Sequence, residues 1–375
     1  MTRAPLAGLA EPRRILLLRP RAAGDVLLAT PILRALRERF PAARIAFAVR
    51  RNMVPLVIAN PHADEIIVID AHEDPSRPAI QRVAGTVAFF ARLRAARFDW
   101  AIDLHGGPRS ALVAFASGAP VRVGYGTRGR RYAYTIRRPR FETDADGKRI
   151  VRSAVRVNAA LVEPLGVAVR DESLVLRVPD EARARTRRFL DGAEIGAGAR
   201  PLALVNPAAK WATKAWAPER YALVARQLAV ERGADVLVLW GPRERETAER
   251  VVASAAASRV RLAPEGDLGD LAALVEAADL VVGTDSGVSH IAAALGTRSV
   301  TLFGPTNPIA WHPYDSSRHR PIHHQVPCSF CNFTECAWHA CMTELSVERV
   351  LAACAELLLR VAPHKSTEAA GGHAV

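Results

Sequence analysis

The chain has 375 residues, 50% hydrophobic and 24% charged, a composition that excludes global disorder and fibrous repeats and leaves room for two domains. Its longest apolar runs, such as Ala111 to Ala116 and Val236 to Trp240, fall far short of the roughly 18 to 20 residues that a membrane-spanning helix requires. The net charge of +13 points to a polyanionic partner: a phosphorylated substrate, nucleic acid or an anionic membrane face.

The opening residues, MTRAPLAGLAEPRR, carry Glu11 and no unbroken apolar region. No cleaved export signal is therefore expected, and the protein is placed in the cytoplasm. Arg14 to Arg19 (RILLLR) reads as a buried strand followed by the loop Pro20 to Asp25. From Val26 to Phe40, apolar residues recur at helical spacing. Ala43 to Val49, Ile66 to Ile69 and Trp100 to Leu104 read as further strands, the last after a helix near Val83 to Ala96. The second half repeats the alternation: strands at Leu202 to Val205, Asp235 to Leu239, Leu280 to Val282 and Ser299 to Phe303, with helices near Glu219 to Arg232, Glu244 to Ala257 and Ser289 to Leu295. Strands alternating with helices predict parallel sheet, and two such series predict two doubly wound α/β domains with a ligand at the strand carboxyl ends between them. The expected organisation is a flexible start (1–13), an N-terminal domain (14–178), a C-terminal domain (179–345), a helix (346–360) and a disordered tail (361–375).

Three loops carry chemistry. Gly24-Asp25 follows the first buried strand, where an acid at the head of the next helix serves either as a base or as a cap worth about 1 kcal/mol. The residues alone favour the cap. The stretch Val281 to His290 runs from a strand through Gly283, Thr284, Asp285, Ser286 and Gly287 into a helix of small residues. Free backbone N–H groups and the helix dipole there suit a diphosphate. It matches neither a Walker A loop nor G-x-G-x-x-G. Only four of the 51 basic residues are lysines, and two of them, Lys210 and Lys214, share the loop Asn206 to Pro218. The arginine excess owes part of its size to GC-rich codons, so paired lysines at a strand's carboxyl end are the more telling sign of phosphate neutralisation.

Taken with DLHGGPRS at Asp103 to Ser110, KWATKAW at Lys210 to Trp216, LWGPRE at Leu239 to Glu244 and LFGPTNP at Leu302 to Pro308, these motifs resemble, in content and order, the heptosyltransferases of glycosyltransferase family nine. The resemblance runs from about Arg14 to Ala353. It implies a GT-B architecture: two Rossmann-like domains facing across a cleft, with the acceptor on the first and the nucleotide sugar on the second. It also implies inverting transfer without a metal, from ADP-heptose to a lipopolysaccharide core or lipid A acceptor, with no cofactor required and no nucleic-acid partner. By resemblance Asp25 is the general base and Lys214 steadies the leaving diphosphate. Lys210, Thr213, Glu244, Thr284, Asp285, Ser286, Gly287 and His290 face the donor; Gly24, Arg109 and Arg128 face the acceptor. Ala208 stands where the family often has glycine, and Leu28 where some members have histidine. The alternative readings are another nucleotide-sugar GT-B enzyme, including an epimerase, and a non-catalytic polyanion binder.

Two features remain. Arg122 to Arg140 holds seven arginines, three tyrosines and no acid, which suggests contact with lipid A phosphates or the anionic inner leaflet against the alternative of a solvated loop. Cys328, Cys331, Cys336 and Cys341 follow a C-x2-C-x4-C-x4-C spacing. In a cytoplasmic chain four thiols so close suggest a structural metal more than disulfides. The spacing is more compact than a zinc ribbon, and similar segments occur in members of the family without a catalytic part, so both a metal site and plain thiols stay open. Cys354 reads as a core residue.

Overall fold

The computed structural model describes residues 9–70, 76, 78–312 and 314–359. Residues 1–8 of the expected flexible start and the whole tail 361–375 lie outside the described residues.

The first domain runs β1 (Arg14–Leu18), α1 (Ala23–Leu27), α2 (Thr30–Arg39), β2 (Arg44–Val49), β3 (Glu65–Val68), α3 (Ala79–Ala95), β4 (Trp100–Asp103), α4 (Pro108–Ala116), β5 (Val121–Tyr125), β6 (Ile136–Arg138) and α5 (Ala154–Val162). The second runs α6 (Asp180–Gly192), β7 (Leu202–Asn206), α7 (Pro218–Glu231), β8 (Asp235–Val238), α8 (Arg245–Ala255), β9 (Val260–Leu262), α9 (Leu268–Ala277) and β10 (Leu280–Thr284). It continues with α10 (Gly287–Leu295), β11 (Arg298–Phe303), α11 (Pro308–Trp311), β12 (His319–His323), α12 (Ala340–Thr343) and α13 (Val347–Leu358). Each domain is built on a six-stranded sheet, in the orders β3-β2-β1-β4-β5-β6 and β12-β11-β10-β7-β8-β9. Every pairing is parallel.

The strands form where both faces are covered, so β1, β2, β7 and β8 are nearly continuous runs of Leu, Ile, Val and Ala. Helices start on proline at the first position (Pro108, Pro218) or on a capping side chain: Asp267 accepts from the N–H groups of Gly269 and Asp270 at 2.7 and 3.0 Å. Strand order reverses between β1 and β4 in one sheet and between β7 and β10 in the other. The loops leaving these four strands therefore open onto the crevice where α/β proteins bind ligands. The connection 167–179 packs Val167, Val169, Leu174, Leu176 and Val178 into an apolar core that contains residues of both domains. Helix α13 returns to the second domain, against α7.

One expectation needs correction, and one alternative falls away. The single helix expected from Val26 to Phe40 is two, α1 and α2, broken at Leu28 and Ala29, and Gly24 and Asp25 lie inside the first turn of α1 rather than in the loop before it. The Arg122 to Arg140 segment is not a solvated loop either. It supplies β5 and β6, buries Ala133 and Tyr134, and uses Arg122 to hold the carbonyls of Ala119 and Ala133.

Next to His290 of α10, the buried rings of His312 and His319 pack edge-to-face with Tyr314 and Phe303. Burial depresses His312 to about 3 and His319 to about 4, and among the described residues neither His312 ring nitrogen has a hydrogen-bond partner. A histidine held neutral in the fold takes up its proton on unfolding, so its stabilisation is full above its ordinary pKa of about 6.5 and is lost as pH falls toward the folded value. Resistance of the protein to urea should weaken from pH 6.5 to pH 4.5, and His312→Phe should make that limb shallower by about 1.4 kcal/mol per pH unit; parallel limbs would show that His312 is protonated in the native state.

Candidate functional site

The site assembles where α1 of the first domain meets α10 of the second. A Cβ on Gly24 would enter the ring of His290, and one on Gly287 would stand 2.9 Å from Ala23 Cβ. The two helix starts touch only because both positions lack side chains. Asp25 is the third residue of α1. Its Oδ2 accepts from the Ala22 N–H at 3.2 Å, and its Oδ1 is held by the guanidinium of Arg19. So Asp25 does cap its helix, from inside the first turn rather than from the N-cap position. Arg19, at the end of β1 and 7% exposed, also grips the Leu104 carbonyl at the end of β4. It thereby fixes the base candidate to both central strands.

Across the junction, Lys214 Nζ meets Asp285 Oδ2 at 2.6 Å and the Asp285 carbonyl at 3.2 Å, with Trp211 flanking at 4.8 Å. Asp285 Oδ2 also accepts from Thr306 Oγ1 at 2.8 Å. His290 Nε2 stands 4.0 Å from Asp285 Oδ1, and its Nδ1 is bonded to the Tyr314 hydroxyl. Burial lowers the His290 pKa, against the raising influence of Asp285 and Asp25. Thr284 donates to the Ala208 carbonyl at 3.0 Å, and Asn206 Nδ2 to Ser286 Oγ at 3.2 Å, which ties the loop after β7 to the loop after β10.

A cavity lies on each side of this junction. The larger, about 560 Å³, is lined in the second domain by Lys210, Trp240, Glu244, Ser286, Gly287 and Val288 and closed from the first domain by Arg51 to Met53. The smaller, about 280 Å³, is lined by Arg19, Arg140, Arg149, Arg152, Asn158 and Trp311. Of the residues singled out in the sequence, Lys210, Glu244, Ser286 and Gly287 face the larger cavity. Lys214, Thr284, Asp285 and His290 form the layer beside it. Glu244 also accepts from the Gly241 N–H at 3.0 Å, shaping its own turn.

Others lie elsewhere. Thr213 is buried and donates to the Phe333 carbonyl at 2.8 Å, so its hydroxyl serves the neighbouring loop. Arg109 donates to the Ile69 carbonyl at 2.9 Å and Arg128 sits in an exposed turn; neither lines the two cavities. In their place stand Arg140, Arg149 and Arg152, which codon-driven arginine abundance concealed. Arg19 had a signal: a cation directly after four buried apolar residues. Asp103 shapes the DLHGG turn by accepting from the N–H groups of His105 and Gly106 at 2.9 and 3.0 Å and from the Tyr134 hydroxyl at 2.6 Å. The four clustered cysteines are free thiols, and among the described residues no group of three or more His, Cys, Asp or Glu side chains is placed to hold a metal ion.

The family model for glycosyltransferase family 9 (heptosyltransferase) matches residues 86–340. The chain belongs to glycosyltransferase family 9. Lipopolysaccharide heptosyltransferase 3 of Escherichia coli is 27% identical over 297 residues, covering 78% of this chain and 84% of that protein. Lipopolysaccharide heptosyltransferase 1 of Pseudomonas aeruginosa is 27% identical over 348 residues, covering 87% and 88%. Among solved structures, a family 9 glycosyl transferase from Veillonella parvula aligns with a TM-score of 0.81 at 24% identity, covering 93% of this chain and 98% of that one. The Escherichia coli ADP-heptose lipopolysaccharide heptosyltransferase II aligns at 0.74 and 24%, covering 92% and 99%. This family 9 chain is a glycosyltransferase of GT-B architecture, as its motifs implied.

The close approach at the junction yields a prediction. Gly24→Ala should leave each domain folded, read as unchanged far-ultraviolet dichroism. It should push His290 and α10 away from α1 and lower transferase turnover at least tenfold; normal turnover would mean that the two helix starts do not need to touch.

Proposed function

We propose that this glycosyltransferase moves a heptose from ADP-heptose to the lipopolysaccharide inner core with inversion at the anomeric carbon and without a catalytic metal. The observation that carries the reading is the junction itself: a carboxylate on α1 and a lysine-backed helix start on α10 meet with one cavity on either side. The donor occupies the larger cavity, its nucleoside beside Trp240 and Glu244 and its diphosphate at the N-terminus of α10 near Lys210 and Lys214. The acceptor enters the smaller cavity, where Arg140 and Arg149, beside an Arg152 already paired with Glu142 at 2.6 Å, match acidic sugars or phosphates and Trp311 offers an apolar face. Names of relatives that are lipopolysaccharide heptosyltransferases and a solved relative with ADP support the donor class.

In the transfer, the acceptor hydroxyl attacks C1 of the heptose from the face opposite the diphosphate. The C1–oxygen bond to phosphate breaks, and the bonding pair leaves with ADP. Asp25 takes the hydroxyl proton as the attack proceeds. Arg19 keeps the carboxylate aimed. Charge developing on the leaving diphosphate is met by Lys214 and the N–H groups of α10, donors already in place before reaction. Because Asp285 holds Lys214 at 2.6 Å, the arriving diphosphate shares the ammonium with a carboxylate, and Asp285 keeps it from drifting toward solvent.

Asp25→Ala should abolish transfer while ADP-heptose still raises the melting temperature, because the lost group acts on the acceptor proton. Lys214→Ala should raise the donor KM and lower kcat together, because the same charge contacts ground-state and developing phosphate oxygens. Near-normal turnover in the first would leave Asp25 as a helix cap only. A thermal response to UDP-sugars and none to ADP-sugars would overturn the donor assignment.

The chain would work in the cytoplasm at the inner face of the membrane, docked through the exposed arginines at the β5–β6 edge. No described helix is long and apolar enough to cross a membrane. Basic residues near an anionic surface contribute about 1 kcal/mol each and fade within a Debye length. Arg130 holds the Gly106 carbonyl at 3.0 Å and so belongs to the fold; Arg128 and Arg131 are exposed. Co-sedimentation with anionic vesicles should fall on raising salt and fall further in the Arg128→Gln, Arg131→Gln variant. Equal binding by both proteins would remove this edge from membrane docking.

A further inference from the structure

Cys328, Cys331, Cys336 and Cys341 lie on the segment between β12 and the first turn of α12. All four line one small cavity of about 10 Å³, together with Trp338 and His339. That volume has room for one ion or one water and for no organic ligand. The backbone bends tightly around it: Phe330, Asn332 and His339 have φ of 67°, 60° and 48°. The His339 N–H donates to Cys336 Sγ at 3.2 Å, the kind of outer-shell donor that supports a thiolate ligand. The nearby imidazoles are committed elsewhere. His339 Nε2 is bonded to the Thr213 carbonyl at 2.8 Å, His324 Nε2 pairs with Glu344 at 3.1 Å, and His323 packs on the Phe330 ring without lining the cavity, which leaves four sulfurs as the donor set. As they stand no three of these groups are placed to hold an ion, so binding has to draw the two cysteine turns together, as in sites that form only with their metal.

The same segment is clamped to the catalytic cleft. His339 holds the Thr213 carbonyl, Thr213 Oγ1 donates back to the Phe333 carbonyl at 2.8 Å, and the Asn332 N–H donates to the Pro305 carbonyl at 2.9 Å. Thr213 is the residue before Lys214, and Pro305 the residue before Thr306, which bonds Asp285. Phe330 and Asn332 also line the smaller cavity. We infer that the four thiolates bind one thiophilic divalent ion, of the zinc or ferrous class, and that this ion locks the segment behind Thr213 and so positions Lys214. The thiols release their protons to solvent as the ion binds, with no change of oxidation state. The sulfurs touch no substrate, so they are positioning residues. The link to donor binding rests on Lys214 as a diphosphate contact; the ion site does not.

The test begins with the full chain and needs no substrate. Elemental mass spectrometry of the purified protein should find about one zinc or iron per chain. Reduced, metal-stripped protein should take up one Zn2+ against a chromophoric chelator and give thiolate-to-metal absorption with Co2+. Cys331→Ser, Cys336→Ser should lose the ion, whereas His339→Gln should keep it. The wild-type titration decides the site even where the cysteine variant fails to fold. Metal-stripped enzyme and His339→Gln should both show a donor KM raised about tenfold. Absence of bound and of titratable metal, or thiols paired as disulfides in the native protein, would overturn the site. Stoichiometric metal with an unchanged donor KM would overturn its link to Lys214.

Discussion

The approach of two helix starts, α1 and α10, is the constraint on which the rest of this molecule depends. Parallel sheets deliver their loops to one edge, but two domains can bring those edges together only as closely as the side chains between them allow. Here Gly24 lies against the ring of His290 and Gly287 against Ala23. With those side chains absent, a carboxylate from one domain and a phosphate-binding helix end from the other share one cleft, and a cavity opens on each side. The apolar core that contains residues of both domains holds the junction in place from below.

Each functional charge at the junction is accompanied by a buried partner of opposite sign. Asp25 rests on Arg19, and Lys214 rests on Asp285. Such pairs do little for stability compared with apolar packing, and removing one member leaves the other stranded at a cost of about 3–5 kcal/mol. Their value is orientation: groups held by fixed partners need no reorganisation when charge develops on a leaving group. The hydroxyl of Thr306 and the ring of His290 extend the second pair into a layer that also includes Tyr314.

The large positive charge is not one patch. Arg19, Arg37, Arg122 and Arg130 spend donors on backbone carbonyls where strands and turns end, doing with a five-donor fork what lysine does poorly. Only part of the arginine complement is left to meet an anionic ligand. Arg140 and Arg149 at the smaller cavity and Arg131, Arg137 and Arg138 along the β5–β6 edge belong to that part.

Much of this was legible in the chain. Apolar runs with β-character, separated by helical periodicity, announced two doubly wound domains because a buried parallel strand has no polar face to hide. Ordered motifs announced the family, and the rarity of lysine singled out Lys210 and Lys214. The short strands β5, β6, β9 and β12 were missed because they carry arginine, histidine or proline and are only three to five residues long. Tertiary structure alone decided which arginines face a ligand, since Arg109 and Arg140 are the same residue type and differ only in which carbonyl or cavity the fold sets before them. It alone also decided that Thr213 serves the cysteine segment and that Gly24 is small because a histidine 266 positions later in the chain occupies the space. Such facts depend on contacts between residues remote in sequence, and local spacing carries no record of them.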